Sequence, residues 1–351
     1  MREQIWHTGT TTKLFQETEK KNTQRSRQVF RQKLLLCTVT MGAVAVLSAS
    51  AFQKISARQA NEAEKESEER DEARTAAETE VNEETEEPFI NILEAESSEM
   101  TITWDAAFSE SFFAGIASAL NEETSALTEE GYSVAFLLYD LNTGGGISYY
   151  ADEIYYSASA IKAPYVTWLV QTYPEMLMDY YSVIENTISW SSNSDYFTLI
   201  NNFGKSGFNS WTAQLGSSDI TLTDSSFGEI TCRSFTRIWI EIYEYFMSGD
   251  ETAEQFSSFF IGTENSCIYE TLGAEYTVYS KAGWYSEGEG SYYTVQNDAG
   301  IVMKEDNPYI LTILSDAYGE LELLGDLVAA ADQAHTALSD QEKVESSVHI
   351  Q

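Results

Sequence analysis

Residues 155–170, YYSASAIKAPYVTWLV, are the stretch on which the interpretation of the fold depends. Two strand patterns precede it, an apolar one at 133–140 and a short one at 147–150. From 160 to 173 the apolar residues recur at helical spacing. The stretch therefore predicts a connection from a strand pair into a helix, with small and polar residues at the junction.

Ser159 and Lys162 lie at this junction and form the only S-x-x-K sequence of the chain. Residues three apart on a helix share a face, so the Lys162 amine can reach the Ser159 hydroxyl. Pro164 fits a helix that starts close to Ser159, because proline is tolerated in the first turn and disrupts later ones. The pair is a candidate nucleophile with its own base. The structural alternative is a capping serine beside a surface lysine.

Two further motifs add groups that suit the same chemistry. Ser191-Ser192-Asn193 lies within a helical region, where Ser191 can pass a proton to a leaving nitrogen and Asn193 can bind a substrate amide. Lys281-Ala282-Gly283 ends a strand pattern, where the lysine can hold a carboxylate and the glycine lets a substrate backbone approach. Lys162 and Lys281 are two of only six lysines and arginines between residues 101 and 334.

The remaining pattern completes an α+β domain. Helical segments fill 174–260, strand patterns follow at 276–281, 292–303 and 309–315, and 321–337 is a closing helix. The prediction is a five-stranded antiparallel sheet flanked by the first and last helices, with a helical lobe inserted after the second strand. A site is expected in the cleft between the lobes. The opening helix is predicted from four-residue apolar spacing at Trp104, Phe108, Phe112, Ile116 and Leu120.

The 351 residues carry a net charge of −36, which is distributed unevenly. The composition predicts a basic cytoplasmic leader at 1–33, a transmembrane helix at 34–52, a disordered acidic linker at 53–98, a folded domain at 99–340 and a short tail at 341–351. So acidic a chain is not expected to bind nucleic acid.

The segment 34–52 holds nineteen uncharged residues, enough to cross a bilayer. Arginines and lysines are denser before it than after it, so we expect a cytoplasmic amino terminus and an external domain on a single-pass membrane anchor. The alternative is a cleaved signal peptide and a secreted protein, since Ala49-Ser50-Ala51 resembles a cleavage site.

Histidine and cysteine are scarce. The three histidines lie far from the motifs, which makes a Ser-His-Asp triad improbable, and no Cys/His cluster has the spacing of zinc ligands. No cofactor is expected. Cys232 and Cys267 are either one disulfide or two buried thiols, and the oligomeric state is left open.

Taken together, the three motifs resemble those of the serine β-lactamase and penicillin-binding protein superfamily, and most nearly those of class A β-lactamase-like serine hydrolases. The resemblance spans 142–315 and includes the segments around the nucleophile and the last three strands. It implies Ser159 as acylated nucleophile, Lys162 as base, Ser191 as proton shuttle and Lys281 as cationic anchor. It also implies substrate contacts at Asn193, Ala282, Gly283 and Trp284, with the oxyanion bound by the backbone N–H groups of Ser159 and Trp284.

Two departures from the family pattern bear on activity. Ala282 replaces the hydroxyl residue of the family's K-T-G or K-S-G, which removes a hydrogen bond worth about 1–3 kcal/mol. No E-x-x-N sequence, the family's source of a deacylating glutamate, occurs between Asn193 and Lys281. Glu229 is the nearest carboxylate by position and a weak candidate for that role.

These features predict an exported, membrane-anchored serine hydrolase that forms an acyl-serine intermediate with β-lactams or D-Ala-D-Ala-type amides. Its partner is a small molecule or a peptidoglycan stem peptide. The alternative is a β-lactam or peptidoglycan sensor or scaffold that does not hydrolyse its ligand, since the deacylation base is missing.

Overall fold

The computed structural model describes residues 90–96, 99–104, 108–288 and 290–348, with side chains as far as 340. The predicted leader, the 34–52 segment and most of the acidic linker lie outside these ranges. Among the described helices, none combines the length and the hydropathy that crossing a membrane requires.

An antiparallel sheet of seven strands forms the centre of the domain, in the order β1-β3-β2-β9-β8-β6, with β7 also paired to β8. The prediction of five strands was therefore wrong. The strands are β1 Thr101–Thr103, β2 Val134–Asp140, β3 Gly146–Tyr149, β6 Thr277–Ser280, β7 Gly283–Tyr285, β8 Val295–Met303 and β9 Tyr309–Ser315. A separate two-stranded sheet pairs β4 Tyr155–Tyr156 with β5 Glu229–Ile230.

The two extra strands lie at the edges of the sheet. The β1 strand pairs with β3 and directly precedes Trp104, where the apolar spacing that predicted the opening helix begins. At the other edge β6 and β7 both pair with β8, without a change of register between Ser280↔Gly300 and Gly283↔Asn297. They are one edge strand interrupted at Lys281 and Ala282, two of the residues predicted for the site.

The helices cover both faces of this sheet. They are α1 Glu110–Glu129, α2 Lys162–Thr172, α3 Met176–Asp179, α4 Tyr181–Ser189, α5 Asn193–Phe203, α6 Ser206–Gln214, α7 Cys232–Phe246, α8 Glu251–Ser257, α9 Cys267–Leu272 and α10 Leu321–Val348. Short 3₁₀ turns span Ala158–Ile161 and Ser258–Phe260. The first helix starts later than predicted, because the Ser109 hydroxyl caps it by accepting from Phe112 N. The last helix continues into the predicted tail.

The central strands separate two hydrophobic cores. In β2, Ala135 and Leu137 pack toward the helical lobe, whereas Val134, Phe136 and Leu138 pack toward α1 and α10. Both faces of the strand are buried, which explains why its sequence is a continuous apolar run and not an alternating one. Cys232 and Cys267 are buried free thiols, so the disulfide alternative is excluded. The helical lobe is inserted between β3 and β6, as predicted.

Candidate active site

The Ser159 nucleophile candidate lies in the 3₁₀ turn Ala158–Ile161, which leads directly into α2. Residues three apart are eclipsed in a 3₁₀ turn, so Ser159 and Lys162 face the same side, as the S-x-x-K spacing predicted. Ala158 has a φ of 44°, a conformation that L-residues rarely adopt. Pro164 falls in the first turn of α2, where its missing N–H costs nothing.

The Lys162 amine is fully buried and lies among four oxygen atoms. Its Nζ is 2.9 Å from Ser159 Oγ, 2.6 Å from the Ser191 carbonyl oxygen and 2.7 Å from Asn193 Oδ1. Ser191 Oγ is a more distant neighbour at 3.4 Å. The helix start and the 191–193 motif thus come together around one nitrogen, as the sequence predicted.

The neighbours of Lys162 suit an uncharged amine. A neutral amine has two N–H groups and one lone pair, and the Ser191 carbonyl and the Asn193 amide oxygen can only accept hydrogen bonds. In the neutral form they take the two N–H groups and the lone pair can accept the Ser159 proton, whereas in the charged form the third N–H donates to Ser159 Oγ. Burial, together with the like charge of Lys281, lowers the pKa of Lys162 to about 7.

Ser191 lies between the two lysines. Its hydroxyl oxygen is 3.1 Å from Lys281 Nζ, in addition to the longer contact with Lys162. The residue has a φ of 55°, left-handed for a residue other than glycine, while Ser192 caps α5 by accepting from Asp195 N. A strained residue that presents a hydroxyl to two amines is consistent with proton transfer.

Lys281 occupies the interruption between β6 and β7 and is also fully buried. Its Nζ donates to the Ala282 carbonyl at 2.7 Å. Burial lowers the pKa of Lys281 to about 7, although the carboxylates of Asp298 and Glu264 raise it. Carboxylates therefore oppose the downward pKa shift of Lys281, whereas the shift of Lys162 has no such opposing cause.

The third motif meets the nucleophile turn through its glycine. A Cβ atom on Gly283 would lie 2.3 Å from Ala160 N and 2.5 Å from the Ser157 carbonyl oxygen, so only glycine fits there. This contact places Trp284 beside the turn that holds Ser159. The ring of Trp284 lies 5.5 Å from Lys281 Nζ. The Ala282 side chain is fully buried.

Glu229, the weak candidate for a deacylation base, is an exposed residue of β5. Its carboxylate accepts a hydrogen bond from the Tyr292 hydroxyl at 2.7 Å. Within the described residues, no carboxylate is hydrogen-bonded to Ser159, Lys162 or Ser191. A deacylation role for Glu229 gains no support from this arrangement.

Sequence reasoning missed two parts of the site. Asp298 lies behind Lys281 on β8, where Ser266 Oγ is 2.7 Å from its carboxylate and also 2.7 Å from Ser280 Oγ. Phe227 lies on the other side, with its ring 6.0 Å from Lys162 Nζ. An acidic residue inside an apolar strand signals a special role for Asp298, whereas nothing in the sequence marks Phe227.

One known protein family matches part of the chain. The model of the beta-lactamase enzyme family matches residues 174–336, a range that includes Ser191 and Lys281 and begins after Ser159 and Lys162. The comparison with curated proteins finds no match.

Solved structures resemble the domain along nearly their whole length. A β-lactamase from Streptosporangium roseum has a TM-score of 0.53 at 17% identity and covers 63% of this chain and 99% of its own. A β-lactamase from Sphaerobacter thermophilus has a TM-score of 0.52 at 16% identity, and the match covers 62% of this chain and 97% of that protein. A mutant of PBP-A, solved as an acyl-enzyme complex with penicillin G, has a TM-score of 0.51 at 14% identity. This match covers 62% of this chain and 96% of that protein.

At such identities the likeness concerns the fold, and the fold is that of a β-lactamase-like serine hydrolase. The predicted resemblance to the serine β-lactamase and penicillin-binding protein superfamily is confirmed by the family match and the shared architecture.

Proposed function

We propose that the protein is a class A β-lactamase-like enzyme that opens β-lactams or D-Ala-D-Ala-type amides through an acyl-serine intermediate. Ser159 is the nucleophile, Lys162 the base, Ser191 the proton shuttle and Lys281 the anchor for a substrate carboxylate. The observation that carries the proposal is the buried Lys162 amine, whose Nζ lies 2.9 Å from Ser159 Oγ.

The acylation step follows from these positions. Ser159 Oγ forms a bond to the carbonyl carbon while its proton passes to Lys162 Nζ, a transfer worth roughly 10²–10⁴ in rate. The backbone N–H groups of Ser159 and Trp284 bind the oxyanion. When the C–N bond breaks, the leaving nitrogen takes a proton from Ser191 Oγ, which is replenished from Lys162. An ester of Ser159 remains, and water converts it to a carboxylic acid and free serine.

The rate of ester hydrolysis separates this proposal from the alternative function. Glu229 is engaged with Tyr292, and no described carboxylate contacts the Ser159–Lys162 pair. This observation favours slow deacylation, as expected of a penicillin-binding sensor or a slow peptidase. The PBP-A neighbour, solved as an acyl-enzyme with penicillin G, supports stable acylation of this fold.

The location of the protein is also a proposal. We propose that the 34–52 segment anchors the domain outside the cell, or that its cleavage releases the domain as a secreted protein. Membrane fractionation followed by treatment of intact cells with protease tests this. Protection of the domain in intact cells contradicts export.

Intact-mass spectrometry after exposure to benzylpenicillin tests the chemistry. The full-length protein is expected to gain the mass of one penicilloyl group, and the Ser159→Ala variant is expected to gain none. Ser194→Ala, which removes an exposed hydroxyl from α5, serves as the control and should still be acylated. An adduct that decays means turnover, and one that persists means the sensor or slow peptidase. Acylation of Ser159→Ala, or no acylation of the wild-type protein, contradicts the proposal.

A further inference from the structure

Four aromatic residues form a continuous group beside the candidate site, which we call the aromatic arc: Tyr156, Phe227, Tyr285 and Tyr293. Their rings meet at Tyr156, whose centroid is 6.2 Å from Phe227, 6.2 Å from Tyr285 and 5.1 Å from Tyr293. The interplanar angles of 64°, 64° and 88° give edge-on contacts, in which one ring presents its edge to the face of the next.

The arc borders the candidate nucleophile on two sides. Tyr156 ends β4, three residues before Ser159, and Tyr285 directly follows Trp284 on β7. Phe227 brings its ring to 6.0 Å from Lys162 Nζ. The arc therefore borders both the chain segment that leads into Ser159 and the surroundings of Lys162 Nζ.

Two of the four rings in the arc are exposed to solvent and are not part of the hydrophobic core. Tyr285 and Tyr293 are each 45% exposed, and the adjacent Tyr292 is 51% exposed. Tyr292 and Tyr293 have centroids 5.4 Å apart, so the exposed rings are contiguous. Single exposed aromatic residues are ordinary, whereas a contiguous group beside a cleft marks a binding surface.

Beyond Tyr292 the surface opens into a cleft of about 980 Å³, lined also by Tyr155, Tyr150 and Tyr318. The carboxylate residues Glu130, Glu153 and Asp316 also line this cleft, and its described lining contains no lysine or arginine. The cleft has room for a large group, and its charge disfavours an anionic one.

The order of residues along the edge strand gives a bound substrate a direction. This step rests on the proposed function, in which Lys281 holds the carboxylate and Trp284 donates to the oxyanion. Lys281, Trp284 and Tyr285 follow one another along the edge, so a substrate antiparallel to β7 places its acyl group beyond Trp284. That position is next to Tyr285, Tyr156 and Tyr293.

We propose that the aromatic arc is a subsite for the acyl side of the substrate and selects donors whose acyl group is aromatic or flat and apolar. Contact between aromatic rings adds to the burial of apolar area, so the expected preference for an aryl over a methyl acyl group is roughly tenfold.

The test compares second-order acylation rate constants of the full-length protein for benzylpenicillin and for the penicillin with an acetyl side chain. The wild-type rate ratio is expected to be about ten, and Tyr285→Ala and Tyr293→Ala are each expected to lower it toward one. Tyr181→Ala removes an exposed tyrosine from α4 and should leave the ratio unchanged. A wild-type ratio near one, or a ratio that both arc variants retain, overturns the proposal.

A binding measurement separates this inference from the proposed function. Calorimetry of Ser159→Ala with phenylacetyl-D-Ala-D-Ala and acetyl-D-Ala-D-Ala needs no chemical step. If neither penicillin acylates the wild-type protein but the phenylacetyl peptide binds about tenfold more tightly, the proposed acylation fails and the subsite stands. Equal binding of the two peptides by Ser159→Ala overturns the subsite.

Discussion

Two groups of buried titratable side chains among the described residues are built in opposite ways. At the candidate site two lysines are buried with a serine hydroxyl between them, and neither forms an ion pair with a described carboxylate. On the other face of the sheet Asp140 and His335 are equally buried, but His335 Nε2 donates to the Asp140 carboxylate at 2.7 Å.

The pKa shifts follow from this difference. Burial lowers the pKa of Lys162, and the second lysine lowers it further. Burial raises the pKa of Asp140, but hydrogen bonds from His335 and Thr143 outweigh it, so the net pKa is lowered. The Asp140–His335 pair is joined by a hydrogen bond and stabilises the fold, although the buried His335 Nδ1 has no partner among the described residues. The two lysines have pKa values of about 7, so burying them reduces the stability of the fold but provides an amine that can act as a base. The lysine pair therefore indicates a catalytic role, and the Asp140–His335 pair a structural one.

Lys162→Met gives the largest expected effect. We expect the rate of acylation at Ser159 to fall by roughly 10²–10⁴, because the base is lost. We expect the free energy of unfolding to stay equal or rise, because an apolar chain replaces an amine that must be desolvated. Acylation followed by mass spectrometry and urea unfolding measure the two quantities. A large loss of stability would place Lys162 in the same class as the Asp140–His335 pair.

His335→Leu has the opposite pattern. It leaves the Asp140 carboxylate buried without its partner, so the free energy of unfolding is expected to fall by about 3 kcal/mol, with acylation unchanged. The deficit should shrink in acid, because the stability from a carboxyl of lowered pKa is present above its unfolded pKa and is lost as pH falls through the folded pKa. Glu94→Gln, which breaks the exposed pair with Arg237, is the control and should cost less than about 1 kcal/mol.

The pH dependence of acylation tests whether the two lysines differ in role. Lys162 must lose its proton and Lys281 must keep its own, and both have a pKa lowered to about 7. The acylation rate is therefore expected to rise toward neutral pH and to fall above it, with a narrow maximum. A rate that keeps increasing to about pH 9 means that the charge of Lys281 is not needed.

Asp298→Asn has the smallest expected effect on acylation, and it tests the contribution of a single carboxylate by replacing it with a neutral amide. The carboxylate raises the pKa of Lys281, so its removal should lower that pKa and move the alkaline limb of the profile to lower pH. The amide keeps an acceptor for Ile268 N, which limits structural damage. Glu244→Gln on α7 changes the net charge equally and should leave both limbs in place.

Much of the fold was predictable because local patterns agree with it. The buried strand at 133–140, the turn after it and the strands near 295–303 and 309–315 are within a few residues of their predicted bounds. The predicted strand count was wrong at the edges, where β1 has three residues and β6 and β7 are one strand interrupted. Such short segments lack the length that a period-two pattern needs.

The site was predictable in its parts and not in its surroundings. The spacing of Ser159 and Lys162 follows from helical geometry, so their contact could be inferred. Asp298, Phe227 and the aromatic arc come from distant segments of the chain, and no periodicity links them to the motifs. Their proximity depends on how β8 and the loop before β5 pack against the nucleophile turn.

By itself the sequence determined which residue types were available: a hydroxyl with an amine three positions later, a second lysine before a glycine, and no histidine nearby. Tertiary structure alone decided the state of those groups. The pKa of an amine depends on desolvation and on neighbouring charges, and both are set by residues that are remote in the chain. Packing also decided that Glu229 pairs with Tyr292 and that four rings gather beside Ser159, because contacts between side chains exist only after the chain has folded.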